Sequence, residues 1–295
     1  MTEQARIRIA VASGKGGTGK TLVATNLFCL LQQQGRTVTL VDCDAEEPND
    51  KVFFSGTRVK SSDVLQKVPV VDENNCTFCG RCHEYCSYNA VFILPPARVI
   101  RVLEDLCHGC GACSVACRDG AITEKDVSLG SVSRFALTEN SSLVEARVRV
   151  GVFSPVPLIK EAVKEAGDGG IVILDAPPGT SCPFIHTVSP ADYVVLVTEP
   201  TPFGLSDLKQ SVETLKTMDK VCGVIINRAG LGDDAVYDYL SRENIPVLME
   251  IPFDKSIATS YSRGELAIKF HREWESMFTT LLNEILKSTK NTSCR

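Results

Sequence analysis

Apolar residues gather along this chain in short blocks separated by polar turns, and the spacing within each block predicts its conformation. Apolar runs at 7–12, 37–41, 171–174, 193–197 and 221–226 predict buried strands. Segments 20–34, 157–166 and 204–218 read as helices, the first ended by Gly35. A further strand ends in Ile251-Pro252-Phe253-Asp254. Residues 270–286 carry Phe270, Trp274, Met277, Phe278, Leu281, Leu282, Ile285 and Leu286 at helical spacing. The polar face of that helix is not strongly basic, so docking on the core is expected rather than lying on a membrane. Residues 126–150 return to strand-like alternation, notably Val144, Ala146, Val148 and Val150. Residues 51–69 show no clear period and read as short pieces and a linker.

Composition narrows the class. At 295 residues the length suggests about two domains, and 44% hydrophobic content is enough for a sizeable core. The net charge is -5, from 31 basic and 36 acidic residues, with no basic cluster. Nucleic acid is therefore not an expected partner. The first six residues are polar, and no apolar run approaches the roughly 18 residues needed to span a bilayer. A soluble, cytoplasmic protein without stable membrane insertion is expected. The 13 cysteines are an odd number in a chain with no secretory signal, which favours metal or redox chemistry over disulfides.

The most informative local stretch is Ser13-Gly14-Lys15-Gly16-Gly17-Thr18-Gly19-Lys20-Thr21, set between a predicted strand and a predicted helix. Gly14, Gly19, Lys20 and Thr21 fit the pattern G-x-x-x-x-G-K-[ST] of a phosphate-binding loop. Glycines let backbone N–H groups converge on a polyphosphate, and the helix N-terminus adds positive potential. Lys20 is expected to reach the β- and γ-phosphates of ATP, and Thr21 to hold Mg²⁺. Strand 37–41 delivers Asp42 and Asp44 to its C-terminal end, where open parallel sheets bind ligands. An aspartate there can orient an attacking water or hold a Mg²⁺-bound one. Asp175 ends another apolar strand, as a Mg²⁺-binding acid does. Asn227 and Arg228 follow strand 221–226, and an asparagine amide can donate to and accept from an adenine edge at once. Pro252 is expected to line the base pocket.

The cysteines carry an internal repeat. Cys76-x2-Cys79-x2-Cys82-x3-Cys86 recurs 31 residues later as Cys107-x2-Cys110-x2-Cys113-x3-Cys117, and Asn89-Ala90-Val91 matches Gly120-Ala121-Ile122 at the same offset. This duplication is the signature of a two-cluster bacterial ferredoxin, although Ser87 and Arg118 stand where proline usually follows the fourth cysteine. The ferredoxin pattern implies crossed ligation. Cys76, Cys79, Cys82 and Cys117 are expected on one [4Fe-4S] cluster; Cys107, Cys110, Cys113 and Cys86 are expected on the other. His83 and His108 are expected at the surface rather than as ligands. An insert of this size buries too little apolar surface to hold itself together, so ligation is expected to supply much of its folding energy.

With Lys15, Gly16 and Gly17 the loop resembles the deviant K-G-G-x-G-K-T loop of MinD/ParA/nitrogenase-iron-protein ATPases. The motifs in their order resemble a MinD-superfamily ATPase carrying an inserted two-cluster ferredoxin domain. The resemblance implies a doubly wound, mainly parallel α/β P-loop sheet with a small α+β ferredoxin-like insert. The expected division is 1–69 and 127–295 for the ATPase and 70–126 for the insert. It also implies an ATP-bound homodimer in which Lys15 crosses to the partner's nucleotide. Asp44 takes the water-orienting role with Asp42 in support, and Gly179, in the turn Pro177-Pro178-Gly179, offers its N–H to the γ-phosphate. Gly14, Gly16, Gly17, Thr18 and Gly19 cradle the phosphates. Cys182 stands near the place where the nitrogenase iron protein family has a cysteine holding a cluster shared between subunits. No second cysteine matches that family's other ligand, so a free thiol is expected and an intersubunit cluster or metal site is the alternative. Three functions stay open. ATP could gate electron transfer through the clusters to a partner protein; the chain could be a cluster carrier or assembly ATPase of Mrp type; or it could be a MinD-like positioning ATPase with a structural ferredoxin domain.

Overall fold

The computed structural model describes residues 6–292, with side chains through residue 290. Contacts divide the chain into two compact units. The first is built from residues up to 61, 132–147 and 159 onward; the second holds 62–131 and 148–158.

In the first unit, buried apolar runs become strands and the periodic segments become helices around them. β1 (Ile7–Ala12) leads through the glycine loop to α1 (Lys20–Gln33), and β2 (Val38–Asp42) follows. A 3-10 turn, Asp50–Phe53, comes next, and then β3 (Thr57–Val71) begins. The aperiodic stretch 51–69 is therefore mostly one strand of 15 residues, not pieces and a linker. Its polar, largely exposed sequence hides the apolar alternation by which strands are recognised.

The second unit contains the short α2 (Arg81–Glu84), the β4 (Val91–Leu94) and β5 (Val99–Val102) hairpin, and α3 (Ala112–Ala116). β6 (Ile122–Thr138) and β7 (Ser141–Val148) meet at a two-residue turn. This unit begins earlier and ends later than 70–126, and it takes in residues 148–158 as well.

The remaining elements alternate helix and strand. They are α4 (Val156–Ala166), β8 (Ile171–Asp175), α5 (Cys182–Val188), β9 (Tyr193–Thr198), α6 (Pro202–Thr217), β10 (Cys222–Ala229), α7 (Ala235–Glu243), β11 (Val247–Pro252), α8 (Lys255–Ser262) and α9 (Arg272–Thr292). The sheet order is β11-β10-β9-β1-β8-β2-β7-β6-β3. The seven strands from β11 to β7 pair in parallel. β1 sits where the order reverses, the usual place for a ligand crevice in such sheets.

The core beneath this sheet packs α1 against α9. Leu27, Phe28 and Leu31 of α1 and Trp274, Phe278, Leu281 and Ile285 of α9 are buried in one cluster. The amphipathic helix therefore docks on the core, as its polar face implied. Phe270 lies outside α9 and is exposed, because it caps the preceding 3-10 turn. Asn26 ties the ends of this layer together. Its Nδ2 donates to Leu22 O at 2.7 Å, and its Oδ1 accepts from Ile268 N at 2.9 Å. No described helix is long and apolar enough to cross a membrane.

Candidate functional site

The glycine loop runs from the end of β1 into α1, and its glycines are there for steric reasons. Gly17 and Gly19 have φ of +77° and +99°, which side-chain-bearing residues rarely adopt. A Cβ on Gly19 would stand 2.5 Å from Asn227 Nδ2, and one on Gly14 would stand 2.6 Å from Asp207 O. Gly16 and Gly179 have open space where a Cβ would be, apart from Pro178 at 3.9 Å from Gly16. Ser13 Oγ donates to Lys15 O at 2.5 Å, and Lys20 Nζ donates to the same oxygen at 3.4 Å. Lys20 is nearly buried, and burial lowers its pKa against the opposing pull of Asp175 and Asp44. Thr18 is buried with no partner for its hydroxyl.

Four aspartates gather near this loop: Asp42 and Asp175 end β2 and β8, Asp44 follows β2, and Asp50 opens the 3-10 turn. Asp42 and Asp175 are neighbours in the strand register. Asp175 Oδ2 accepts from Thr21 Oγ1 at 2.6 Å, while its Oδ1 is buried without a donor. Asp42 accepts three backbone N–H groups, from Asp44 at 3.1 Å, Asn49 at 2.8 Å and Asp50 at 3.0 Å. It thus shapes the loop that carries Asp44 rather than presenting a free carboxylate. Burial pushes Asp175 up to about 6, and burial likewise raises Asp44. Asp42 and Asp50 are pushed well above the ordinary carboxylate range, by burial first and then by a neighbouring charge, that of Asp175 on Asp42 and that of Asp42 on Asp50.

Asp50 was not legible as a site residue. It is fully buried, and no donor reaches either carboxylate oxygen. Its only sequence signal is a third aspartate eight residues past Asp42, after the turn-forming Pro48-Asn49. Buried oxygens of Asp50 and Asp175 without donors, next to the Thr21 hydroxyl, form a hard-oxygen set that suits Mg²⁺.

Beside the loop lies a cavity of about 250 Å³. Gly17, Gly19, Asn227, Arg228 and Pro252 line it, which brings the predicted base-pocket residues together. Ile257, Ala258 and Tyr261 of α8 complete the wall. They escaped notice in the sequence because α8 has only eight residues and one buried side chain. The Asn227 amide is already engaged here: Nδ2 donates to Thr18 O at 2.8 Å, and Oδ1 accepts from Arg228 N at 2.9 Å. Asn227 therefore braces the glycine loop from the cavity wall. The Gly179 N–H similarly donates to Ser13 O at 3.2 Å. Lys15 and Arg228 both contact Glu199, which in the sequence reads as the start of the turn Glu199-Pro200-Thr201-Pro202 after strand 193–197.

In the second unit the eight repeat cysteines separate four and four. Cys76, Cys79, Cys82 and Cys117 line one small cavity. Cys86, Cys107, Cys110 and Cys113 line another. Each set takes three thiols from one repeat and the fourth from the other. Backbone N–H groups reach sulfur at two places, Ala90 to Cys86 Sγ at 3.2 Å and Gly109 to Cys107 Sγ at 3.4 Å. Burial raises the thiols of Cys82, Cys107 and Cys113, partly offset by neighbouring N–H donors. His108 stacks on Tyr88 with ring centroids 3.8 Å apart, and His83 Nδ1 bonds Val91 O at 2.7 Å. Cys182 is exposed at the start of α5. Among the described residues, no three or more His, Cys, Asp or Glu side chains form a site for a single metal ion, at Cys182 or elsewhere.

Residues 9–268 match the family model described as "CobQ/CobB/MinD/ParA nucleotide binding domain". The chain belongs to this family. Its CobQ/CobB/MinD/ParA domain includes the glycine loop, the aspartates and the cavity beside the loop, and the matched span also runs across the cysteine repeat. An uncharacterized protein of Methanocaldococcus jannaschii is 30% identical over 271 residues, covering 89% of this chain and 92% of the other. The iron-sulfur cluster carrier protein of Aquifex aeolicus is 26% identical over 284 residues, covering 90% of this chain and 63% of the other. Among solved structures, the septum site-determining protein MinD of Pyrococcus horikoshii, complexed with Mg-ADP, superposes with a TM-score of 0.57. It is 20% identical with 95% of each chain covered, a likeness that concerns the fold.

Proposed function

We propose that this family member is an ATPase whose nucleotide-dependent dimer gates electron transfer through two [4Fe-4S] clusters to a partner protein. The observation that carries the iron–sulfur part is the crossed separation of eight thiols around two cavities. Thiolate is the donor that soft iron prefers. Sulfurs spaced around a cavity, rather than drawn to a point, suit a cubane better than zinc, whose 2.3 Å bonds gather four sulfurs to about 3.8 Å. When bound, the clusters supply one-electron transfer. Burial favours the protonated thiol at Cys82, Cys107 and Cys113, so ligation by these three is accompanied by proton release.

At the other site, the loop N–H groups and Lys20 hold the triphosphate of ATP. Thr21 and Asp175 would hold Mg²⁺, which would supply charge neutralisation for the triphosphate. Asp44 orients the attacking water. Lys15 acts across the dimer, where its ammonium neutralises charge developing on the partner's nucleotide. The cavity walled by Arg228, Pro252 and α8 takes the base.

A second reading, a cluster carrier or assembly ATPase, draws support from the relative in Aquifex aeolicus. Clusters bound by four thiols each are poor cargo, which favours gating. Anaerobic purification with iron and sulfide analysis, then redox titration with and without ATP, tests both. About eight irons and eight sulfides per chain, with a potential or dimer state that shifts on adding ATP, are expected. Zinc or empty thiols refute the iron–sulfur reading. Transfer of iron to an apo-acceptor, with loss from this protein, replaces gating by delivery.

A further inference from the structure

Glu199 follows β9 and ends in a carboxylate that is only 7% exposed. Two cations share it. Lys15 Nζ lies 3.6 Å from Oε2, and Arg228 Nη1 lies 2.8 Å from Oε1. The two come from different segments: Lys15 from the glycine loop, Arg228 from β10. The contacts continue into a ring. Arg228 N donates to Asn227 Oδ1, and Asn227 Nδ2 donates to Thr18 O, which returns to the loop that holds Lys15. Arg228 keeps a φ of +55°, a left-handed conformation uncommon for a residue with a side chain, and it does so while gripping Glu199.

A buried carboxylate is costly to leave alone and far less so when paired. With Arg228 in close contact, Glu199 keeps a partner when Lys15 departs. Lys15 is the looser of the two, at 3.6 Å against 2.8 Å for Arg228. One ammonium cannot stay on Glu199 and also reach a phosphate on another copy of the chain. A triphosphate carries several negative charges, so it outcompetes a carboxylate already neutralised by arginine.

We propose that Glu199 is a positioning residue that latches Lys15 to its own subunit until a second copy presents a nucleotide. This rests on the reading of Lys15 as a group acting across an ATP-dependent dimer. Without nucleotide, the latch withholds the cation that the dimer needs. With nucleotide in the partner, the pair opens and Glu199 stays with Arg228.

The test is dimerisation of the full chain by sedimentation velocity, titrated with a non-hydrolysable ATP analogue and Mg²⁺. Glu199→Gln is expected to reach half-dimerisation at about 3- to 10-fold lower analogue concentration than wild type, the range of a partly exposed ion pair. Lys15→Ala, alone and combined with Glu199→Gln, shows whether the effect passes through Lys15. The double variant is expected to track Lys15→Ala. A midpoint for Glu199→Gln equal to or above wild type overturns the latch, and so does a double variant that dimerises more readily than Lys15→Ala. Should Glu199→Gln not fold, Glu199→Asp keeps the charge and shortens the reach by one methylene. A smaller shift in the same direction is then expected, and an unchanged midpoint overturns the proposal. A wild type that stays monomeric at saturating analogue overturns the dimer reading itself, and the latch with it, before any substitution is compared.

Discussion

Asp175→Asn separates the energetics of the empty site from its function. Asp175 is buried beside other carboxylates, and its pKa rises from 3.8 to about 6. A folded-state value above the unfolded one means that the folded chain holds the proton more tightly. Below pH 4 both states are protonated and the shift has no effect on stability. Between about pH 4 and 6 stability falls, because folding retains a proton that the unfolded chain has released. Above about pH 6 the penalty is constant. A difference of roughly two pKa units corresponds to about 3 kcal/mol. Asparagine removes the charge yet keeps an oxygen for the Thr21 hydroxyl, now 2.6 Å from Asp175 Oδ2. The variant without nucleotide or Mg²⁺ is therefore expected to be more stable than wild type by up to about 3 kcal/mol at pH 7.5 and by almost nothing at pH 4. In a domain of roughly 200 residues that is a rise of about 6–12 °C in Tm. The assay is thermal unfolding with EDTA at both pH values, followed by circular dichroism. The same variant is expected to lose Mg²⁺-dependent ATP binding, measured by calorimetry. A variant no more stable than wild type at pH 7.5, or equally stabilised at both pH values, refutes the reasoning.

Two further substitutions probe the parts that hold this site. Gly19→Ala forces a left-handed φ on a side-chain-bearing residue and drives a Cβ to 2.5 Å from Asn227 Nδ2. It is expected to cost about 1–2 kcal/mol in backbone strain and about 1 kcal/mol for the disturbed Asn227–Thr18 bond. Urea unfolding measures the first effect, and at least about tenfold weaker ATP binding is expected in calorimetry. Phe278→Ala empties a fully buried site stacked on Trp274, with centroids 5.5 Å apart. A loss of about 3–5 kcal/mol is expected from urea unfolding, with the iron content of the protein unchanged.

Local chemistry was legible in the sequence, and geometry brought about by distant packing was not. The loop from Gly14 to Thr21 is readable because one short segment carries both its glycines and its cation. The same holds for the cysteine repeat, whose resemblance to a two-cluster ferredoxin implied a crossed division of the thiols. Asp42 and Asp175 were readable because each closes an apolar strand. Asp50 was not, because an aperiodic turn delivers it, and its burial depends on neighbours from β2 and β8. Glu199 looked like turn punctuation because its two cations lie 184 positions before it and 29 after it. β3 escaped notice because a strand with so many exposed polar residues lacks the apolar signature. Asn227 lines the cavity, yet its amide is engaged at both ends by backbone, that of Thr18 and that of Arg228.

The Asn26–Ile268 bond joins residues 242 positions apart. β1 likewise has its sheet partners only at 171–175 and 193–196. During synthesis, the phosphate-loop helix therefore emerges long before anything that can cover its apolar side or satisfy its buried amide. Bringing such distant segments together is slow. For most of translation, the greasy flank of that helix is open to whatever binds nascent chains, and a cell making this protein has to shield it until the later strands arrive.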